Sequence, residues 1–351
     1  MNDKYLCLNC WRISKVDDLF SVAQKPYWRE PPGRQRLGDL YHDNEWRQIL
    51  FGLAPRAPYQ LAIQDSRNVE CQCGKPMPPC AKLPNKLLAI RLIGPKNSGK
   101  TLFLITMLDS FNKLEEMALR RICNTNQHFD KFSSVLLRDR RRPAPTMTGE
   151  SYVWEIMDAQ RTHPVLAFHD IGGQIWEQMR HPKNLTNYLA LPGHLILVLD
   201  GARIAHDLNL ASQDAWDANP EERNNIDDLS ILEHITENWE KADYNKTKLA
   251  LVITKADILW NEYPLLQEVC ASLSKTDEKQ EDLKKLMRQS GRNALIIFAE
   301  QRFRDTYEIF ATSSLGFCPE ENDVNTDDPD KLERQPNPEG TLLPLQWLLN
   351  I

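Results

Sequence analysis

A glycine-bracketed loop in the first third of the chain has the residue types that hold phosphate. It reads Gly94-Pro-Lys-Asn97-Ser98-Gly99-Lys100-Thr101, after an apolar run and before apolar residues at helical spacing. This strand–GxxxxGK[ST]–helix pattern is the P-loop. Its glycines let backbone N–H groups converge on phosphate oxygens, and the helix N-terminus adds partial positive charge. Lys100 is expected to reach the β- and γ-phosphates and Thr101 to ligate Mg²⁺, so the stretch predicts a nucleotide site.

Two later segments carry groups that would complete a Mg²⁺ and γ-phosphate site. The apolar run from Val165 ends in His-Asp170-Ile-Gly-Gly173-Gln174. Asp170 would hold a Mg²⁺-bound water, the Gly173 N–H would bond the γ-phosphate, and Gln174 would orient an attacking water. Upstream, Thr146 and Thr148 both qualify as the Mg²⁺ ligand of a switch loop, and either remains open.

Two further segments would recognise the base of the nucleotide. Thr254-Lys255-Ala-Asp257 follows the apolar run 249–253, and Thr312-Ser313-Ser314 follows the run that ends at Ala311. A carboxylate at Asp257 can accept hydrogen bonds from the N1–H and 2-amino groups of guanine, a donor pair that adenine lacks. Backbone N–H groups near Thr312 and Ser313 would reach guanine O6. Each motif is weak alone, but each follows a predicted strand, and ligands bind at the carboxyl ends of strands in open α/β sheets.

Alternating strands and helices over residues 86–351 predict an α/β fold: a P-loop NTPase of the Ras-like G-domain kind, with a mainly parallel sheet and helices on both faces. Insertions are expected at about 110–145 and 201–247. A short connection predicts a hairpin between 152–157 and 165–168, with an antiparallel edge strand. A helix is expected over 229–242, a loop over 319–340, and a last helix over 342–349. The predicted strands are Leu87–Ile93, Tyr152–Met157, Val165–Phe168, Leu195–Leu199, Leu249–Ile253 and Tyr307–Ala311.

Residues 1–85 differ from the rest and hold five of the eight cysteines. Cys7 and Cys10 have the C-x2-C spacing of a metal knuckle, while Cys71, Cys73 and Cys80 compete for two further positions. Two tight pairs, far apart in sequence, can converge on one tetrahedral Zn²⁺. Gly74 suits the turn of a metal knuckle and therefore favours Cys73 as one of the ligands. The alternative is five buried thiols, and the interpretation adopted is a small zinc-ribbon-like module.

Composition narrows the function classes. The chain has 351 residues, 41% of them hydrophobic, and a net charge of −6. An acidic chain is a poor candidate for nucleic acid or an anionic membrane. No apolar run approaches a membrane span, and the first residues do not read as a secretory signal. A soluble, cytosolic protein with reduced cysteines is therefore expected.

Residues 87–351 resemble the translation-factor-class P-loop GTPases of the extended Ras-like kind, and Asp170-Ile-Gly-Gly-Gln174 is similar to the string in G-protein alpha subunits and Arf-like GTPases. The layout also resembles the bacterial double-GTPase family of conflict systems: a Cys-rich N-terminus, Ala311-Thr-Ser-Ser-Leu-Gly316 and a final Pro344-Leu-Gln-Trp-Leu-Leu349. Two features depart from the pattern. Thr254 replaces the usual Asn, and 70 residues separate Lys100 from Asp170.

The resemblance implies a cytosolic GTPase that acts as a switch with a partner protein, either a regulator or an effector. The likeness to G-protein alpha subunits implies a catalytic Arg in cis shortly before the switch Thr. Arg142, four residues before Thr146, is the first choice and Arg141 the second. The alternatives are that the run from Arg138 to Arg142 is solvated or pairs with acidic residues 214–228. A rival function is a non-hydrolysing scaffold whose zinc module docks a partner, and a nucleic-acid factor is disfavoured by the charge.

Overall fold

The computed structural model of the chain describes most of the second half and parts of the first. The described residues are 4–7, 12–15, 20–22, 34–36, 69–73, 87–114, 117–121, 127–141, 150–158, 165–170, 193–210, 227–237, 239–271, 277–318, 324–325 and 328–351. Within these residues, no helix has the length and apolar character needed to cross a bilayer.

The described residues form the following strands and helices. The strands are β1 (Lys4–Leu6), β2 (Ile13–Lys15), β3 (Phe20–Val22), β4 (Arg34–Arg36), β5 (Val69–Glu70), β6 (Leu87–Ile93), β7 (Met117–Arg121), β8 (Glu150–Asp158), β9 (Val165–Asp170), β10 (Gly193–Asp200), β11 (Leu249–Thr254), β12 (Tyr307–Ala311), β13 (Val324–Asn325) and β14 (Asp328–Leu332). The helices are α1 (Lys100–Asn112), α2 (Gln127–Ser133), α3 (Gly201–Asp207), α4 (Asp228–Thr236), α5 (Lys241–Lys246), α6 (Pro264–Ala271), α7 (Asp277–Met287), α8 (Asn293–Arg302) and α9 (Leu343–Leu349).

A seven-stranded sheet lies at the centre, in the order β12-β11-β10-β6-β9-β8-β7. The five strands from β12 to β9 are parallel, and all six strands predicted from apolar runs belong to this sheet. Parallel strands are covered on both faces and are therefore rich in Leu, Ile and Val. The structure confirms the predicted Ras-like α/β fold.

Side chains that alternate along the strands build two cores, one on each face of the sheet. On β10, Leu195, Leu197 and Leu199 face the core covered by α3 to α8, while Ile196 and Val198 face the opposite core. That second core is covered by α1, α2 and α9. The last helix was predicted correctly, and it seats fully buried Leu345 on this face.

The antiparallel edge is more extended than the sequence indicates. The predicted hairpin of β8 and β9 is present, but β8 is not the edge strand. β7 pairs antiparallel with β8, from Met117 opposite Asp158 to Arg121 opposite Trp154, and forms the edge within the stretch predicted as an insertion. Arg120 and Arg121 interrupt the apolar pattern by which the other strands were predicted. Such charged residues are common on edge strands, where they prevent pairing with other chains.

Two other local predictions are corrected. The single helix expected over 229–242 is two helices, α4 and α5. The second starts anew because the Glu240 N–H donates to the Asp243 carboxylate at 2.9 Å, a capping-box contact. Residues 319–340, predicted as a loop, contain the antiparallel β13–β14 hairpin. Pro329 lies in β14, where only an edge strand tolerates proline.

The N-terminal part of the chain forms small antiparallel pairings apart from the central sheet. β1 pairs with β2, and β3 pairs with both β4 and β5. These short strands place Cys7 directly after β1 and Cys71 directly after β5.

Candidate functional site: a phosphate loop and a base loop at one sheet edge

The loop between β6 and α1 has the backbone of a phosphate cradle. Gly94 has φ 148° and Gly99 has φ 81°, conformations that residues with a side chain rarely adopt. A Cβ on Gly94 would lie 2.4 Å from the Val198 carbonyl oxygen, so the loop passes directly against β10. Gly99 ends the loop, and α1 begins at Lys100 with its first N–H groups directed back into the cradle. The predicted P-loop is present as a strand, a loop and a helix.

Lys100 lies inside the loop. Its Nζ is buried and donates to the carbonyl oxygens of Gly94, at 3.0 Å, and Pro95, at 2.6 Å. The Ser98 hydroxyl also donates to Pro95 O, at 2.9 Å. These carbonyl contacts hold the ammonium at the centre of the loop, where the predicted phosphate contact requires it. Thr101, the predicted Mg²⁺ ligand, is half-buried in the first turn of α1.

The end of β11 forms a second wall against this loop. Thr254 is buried, and its hydroxyl donates to Ser98 O at 2.6 Å and Leu199 O at 3.0 Å. This hydroxyl therefore joins the phosphate loop to β10. Thr254, which stands where the predicted guanine motif usually has Asn, thus has a structural role, while its predicted contact with a ligand stays a prediction.

Lys255 connects the same wall to the rim of the loop. It adopts φ 51°, and its Nζ donates to Asn97 O at 2.9 Å and pairs with Asp200 at 3.0 Å. Asp200, which the sequence interpretation missed, is the last residue of β10. The sequence does place Asp200 at the end of a predicted parallel strand, as it does Asp170, and this position could have marked it as a site residue. The pair holds the Lys255 side chain over the site.

Asp257 lies in the short 3₁₀ turn Ala256–Leu259 that follows Lys255. Burial is the main cause that raises the pKa of Asp257, and a hydrogen bond with Ser313 opposes the rise. The Ala256 N–H donates to Thr312 O at 3.1 Å, so this turn is joined to the segment after β12. A partly desolvated carboxylate with one side-chain donor can accept further N–H groups from a ligand.

Residues 312–317, here called the base loop, complete the site. Thr312 and Ser313 are fully buried. The Ser313 hydroxyl accepts the Gly316 N–H at 2.8 Å, and its polar interaction with the Asp257 carboxyl lowers the pKa of that carboxyl. Both sequence-predicted base segments therefore meet. Because β6, β10, β11 and β12 are parallel neighbours, their carboxyl ends bring the phosphate loop and the base loop to one edge of the sheet.

The catalytic predictions lie mostly outside the described residues. This holds for Arg142, Thr146, Thr148, Gly173 and Gln174. The backbone of Asp170 ends β9 opposite Leu92 of β6, at the same sheet edge as the phosphate loop. The predicted Mg²⁺ and hydrolysis groups thus remain predictions, with the Asp170 backbone in a suitable place.

The described arginines of the run have individual contacts. Arg138 is exposed and pairs with Asp139 at 2.8 Å. Arg140 donates to Glu333 O at 2.9 Å, and the backbone of Arg141 bridges to Lys331. Asp228, at the end of the acidic stretch proposed as an alternative partner, instead pairs with the buried Arg292 at 3.1 Å. Arg138 and Arg140 are therefore held by other contacts, and Arg142 remains the first catalytic candidate.

Three of the five N-terminal cysteines converge. The Sγ atoms of Cys7, Cys71 and Cys73 all lie within 4.8 Å of one another, and Cys7 Sγ is 3.8 Å from Cys73 Sγ. That separation is too long for a disulfide, whose S–S bond is about 2.05 Å. Of the competing cysteines, both Cys71 and Cys73 join Cys7, while Cys10 and Cys80 lie outside the described residues.

Comparison with known proteins gives similarity of structure alone. No family model and no curated protein matches the sequence. Similar solved structures include the S. cerevisiae Ski7 GTPase-like domain bound to GTP, 16% identical with a TM-score of 0.41 over 76% of this chain and 50% of that chain. Another is the signal recognition particle receptor SRb-GTP/SRX complex from Chaetomium thermophilum, 14% identical, TM-score 0.34, covering 67% and 94%. A third is bacterial EF-Sec, a selenocysteine-specific elongation factor, 14% identical, TM-score 0.30, covering 66% and 26%.

These similar structures are translation-factor-type and other small GTPases. The chain spans about half of the length of the Ski7 domain structure and about a quarter of EF-Sec. At such identities only the fold is comparable, and the function has to rest on the site itself.

Proposed function

We propose that this chain binds GTP with Mg²⁺ and hydrolyses it slowly to GDP, as a nucleotide-dependent switch. The observation that carries the proposal is the convergence of the Lys100 loop with the Lys255–Asp257 turn at one sheet edge. Lys255 Nζ bonds Asn97 O, which joins the base side directly to the phosphate side. A phosphate loop alone would fit any nucleotide, whereas the neighbouring, partly buried Asp257 carboxylate supplies a means of choosing the base.

On the phosphate side, the chain supplies one buried cation and a set of backbone donors. Lys100 Nζ exchanges its contacts with Gly94 O and Pro95 O for the β- and γ-phosphate oxygens, which are stronger acceptors because they are charged. The first N–H groups of α1 point at the same oxygens. Mg²⁺ bound at Thr101 would neutralise charge that develops on the β- and γ-oxygens during transfer.

On the base side, Asp257 accepts the N1–H and the 2-amino group of guanine. Burial disfavours its ionised form, so donors from the ligand are stabilising. Adenine presents an acceptor at N1 and no 2-amino group, and its binding would leave the carboxylate without donors. Such a mismatch at a buried polar group is costly, which gives the site a preference for GTP over ATP.

The phosphate contact is tested by Lys100→Ala. Loss of one partner from a buried, charged hydrogen-bond set costs about 2 kcal/mol or more, which corresponds to at least about thirtyfold in GTP affinity. The matched control is Lys113→Ala, an exposed lysine at the other end of α1 that pairs with Asp109. Titration of both variants with a fluorescent GTP analogue checks this. Equal affinity of the two variants, with unchanged thermal unfolding, would remove Lys100 from the site.

We further propose that the N-terminal module holds one Zn²⁺. Tetrahedral Zn²⁺ with bonds of about 2.3 Å separates sulfurs by about 3.8 Å, which is the Cys7–Cys73 distance. Cys7, Cys71 and Cys73 supply three thiolates, and Cys10, three residues after Cys7, is the expected fourth, with Cys80 as its competitor. The ion would join the strands around β1 and β5, whose sequence offers little apolar core.

The proposed zinc site is tested by measuring the metal content and by removing the metal with a chelator. Elemental analysis should find one zinc per chain, and a chelator should unfold residues near β1 and β5 while GTP binding largely survives, because the nucleotide site shares none of these ligands. Cys71→Ser should lower the zinc content, whereas Cys270→Ser, a buried cysteine on α6, should not. Protein purified without chelator and found free of zinc would contradict the proposal.

The partner and the biological setting rest on the resemblance stated from the sequence. We propose that the GTP-bound form engages a partner protein in the cytosol, in a bacterial conflict or defence system. Support comes from the order of the motifs and from the cysteine module. Single-turnover hydrolysis separates this switch from the rival, a non-hydrolysing scaffold.

A further inference from the structure

Residues 331–341, here called the C-terminal strap, run along the base loop. Ser313 and Glu339 exchange two backbone hydrogen bonds, at 2.9 Å and 2.8 Å. The Asn337 N–H donates to Leu315 O at 2.7 Å. Ser313, whose side chain acts on the pKa of Asp257, is therefore held through its backbone by Glu339 of the strap.

The strap also packs closely on the base loop. A Cβ on Gly316 would lie 2.0 Å from the Asn337 carbonyl oxygen, so the two backbones touch at a place where only glycine fits. The Arg334 guanidinium lies 4.2 Å from the centre of the Phe317 ring, a cation–π contact on a buried aromatic side chain. Pro336 and Pro338 stiffen the strap, because the pyrrolidine ring fixes φ. The base loop and the strap thus form one packed unit.

The other end of the strap contacts a different part of the site. The Leu332 N–H donates to Arg140 O, and Gln335 Nε2 donates to Leu137 O, both at 2.7 Å. Leu332 is fully buried. Residues 137–141 directly precede the arginine and threonines predicted to act at the γ-phosphate. The strap therefore forms hydrogen bonds both with the base loop and with residues 137–141, which precede the residues predicted to act at the phosphates.

We propose that the C-terminal strap is part of the base-binding site, and that its docking on the base loop sets the rate at which guanine nucleotide leaves. The inference rests on the proposed GTP binding. Ser313 and Glu339 are positioning residues in this arrangement: they hold the base loop and, through Ser313, the orientation of Asp257. Detachment of the strap lets the base loop move away from the base. A partner that pulls on residues 137–141 or on the strap would thereby promote exchange.

The carboxyl groups of Asp257 and Glu339 also interact electrostatically, as expected if the strap is part of the site. Burial is the first cause of the raised pKa of Asp257, and the nearby negative charge of Glu339 raises it further. The Glu339 carboxyl is itself partly buried, and this burial raises its pKa. The strap thus brings a second carboxyl into electrostatic reach of the group that reads the base.

Gly316→Ala tests the proposal, with Gly291→Ala as its matched control. Both glycines have φ 80°, so each variant carries the same left-handed backbone cost, but a Cβ on Gly291 meets nothing within 4 Å. Release of a fluorescent GDP analogue, chased with excess GDP, should be at least about tenfold faster in Gly316→Ala than in Gly291→Ala. Hydrogen exchange without nucleotide should be faster at the Ser313, Asn337 and Glu339 amides in Gly316→Ala alone. A purely structural role of Gly316 would instead lower the unfolding temperature of Gly316→Ala below that of Gly291→Ala, with equal release rates in the two variants.

Arg334→Ala is a milder second variant if Gly316→Ala does not fold. It removes the contact with Phe317 and should also speed release, while Arg334→Lys should restore slow release because the cation is kept. Normal GDP binding by the unmodified chain, with release rates unchanged in these variants, overturns the strap proposal and leaves the proposed function standing. Absence of any GDP or GTP binding by the unmodified chain overturns both.

Discussion

Arg142→Ala is expected to slow single-turnover GTP hydrolysis by about 10³- to 10⁵-fold, with GTP affinity nearly unchanged. Negative charge develops on the transferred phosphoryl group and the leaving oxygen, and an inserted Arg stabilises that charge only in the transition state. The matched control is Arg138→Ala, because Arg138 belongs to the same run but is exposed and paired with Asp139. Arg141 is the second candidate, and its backbone already bridges to Lys331.

Gln174→Leu separates the possible outcomes of this experiment. It removes the group expected to orient the attacking water and leaves the phosphate contacts intact, so it should also slow hydrolysis without weakening binding. Slow hydrolysis in Gln174→Leu with no effect of any single Arg substitution would mean that a partner supplies the Arg. If neither change has an effect, hydrolysis uses other groups or does not occur, and the scaffold function is favoured.

Asp257→Asn should lower GTP affinity by up to about 10⁴-fold, the discrimination reached by sites that are built to hydrogen-bond one substrate group. The amide offers a donor where guanine N1–H is also a donor, so buried polar groups are left unpaired. Xanthine has a carbonyl where guanine has the 2-amino group, and the variant should therefore prefer xanthosine nucleotides. Competition of GTP and xanthosine triphosphate for the variant measures this change.

The control for the base prediction is Asp305→Asn, an exposed carboxylate in the short turn before β12. It should retain GTP preference. Loss of binding to both nucleotides in Asp257→Asn, with a lowered unfolding temperature, would instead indicate that Asp257 serves the fold through Ser313. A selective gain for the xanthosine nucleotide cannot arise from such a structural defect.

The central sheet could be predicted because each of its strands is recognisable from its own residues. Buried parallel strands such as Leu249–Thr254 are continuous runs of apolar residues, and the glycines of the phosphate loop mark the adjoining turn. The order of the motifs then placed Lys100, Lys255 and Asp257 at one edge. All of these inferences need only the residues of one element and its neighbours.

The missed features depend on contacts between distant segments. The strap bonds the base loop through backbone groups, which carry no residue signature, so a Pro- and Asp-rich stretch read as a loop. Asp200 ends a strand as Asp170 does, but its pairing with Lys255, which follows the neighbouring strand β11, is visible only in the structure. The edge strand β7 was hidden by its arginines, whose charge suits an edge but weakens the strand pattern.

Competition between nucleotides on the unmodified chain tests the central claim most directly. The chain, loaded with a fluorescent GTP analogue in the presence of Mg²⁺, is titrated with GTP, GDP and ATP. A site that combines the Lys100 loop with the Asp257 carboxylate predicts displacement by GTP and GDP, with ATP weaker by several orders of magnitude. Displacement by ATP as effective as that by GTP would contradict the assignment of Asp257 and, with it, the proposal that this protein is a guanine-nucleotide switch.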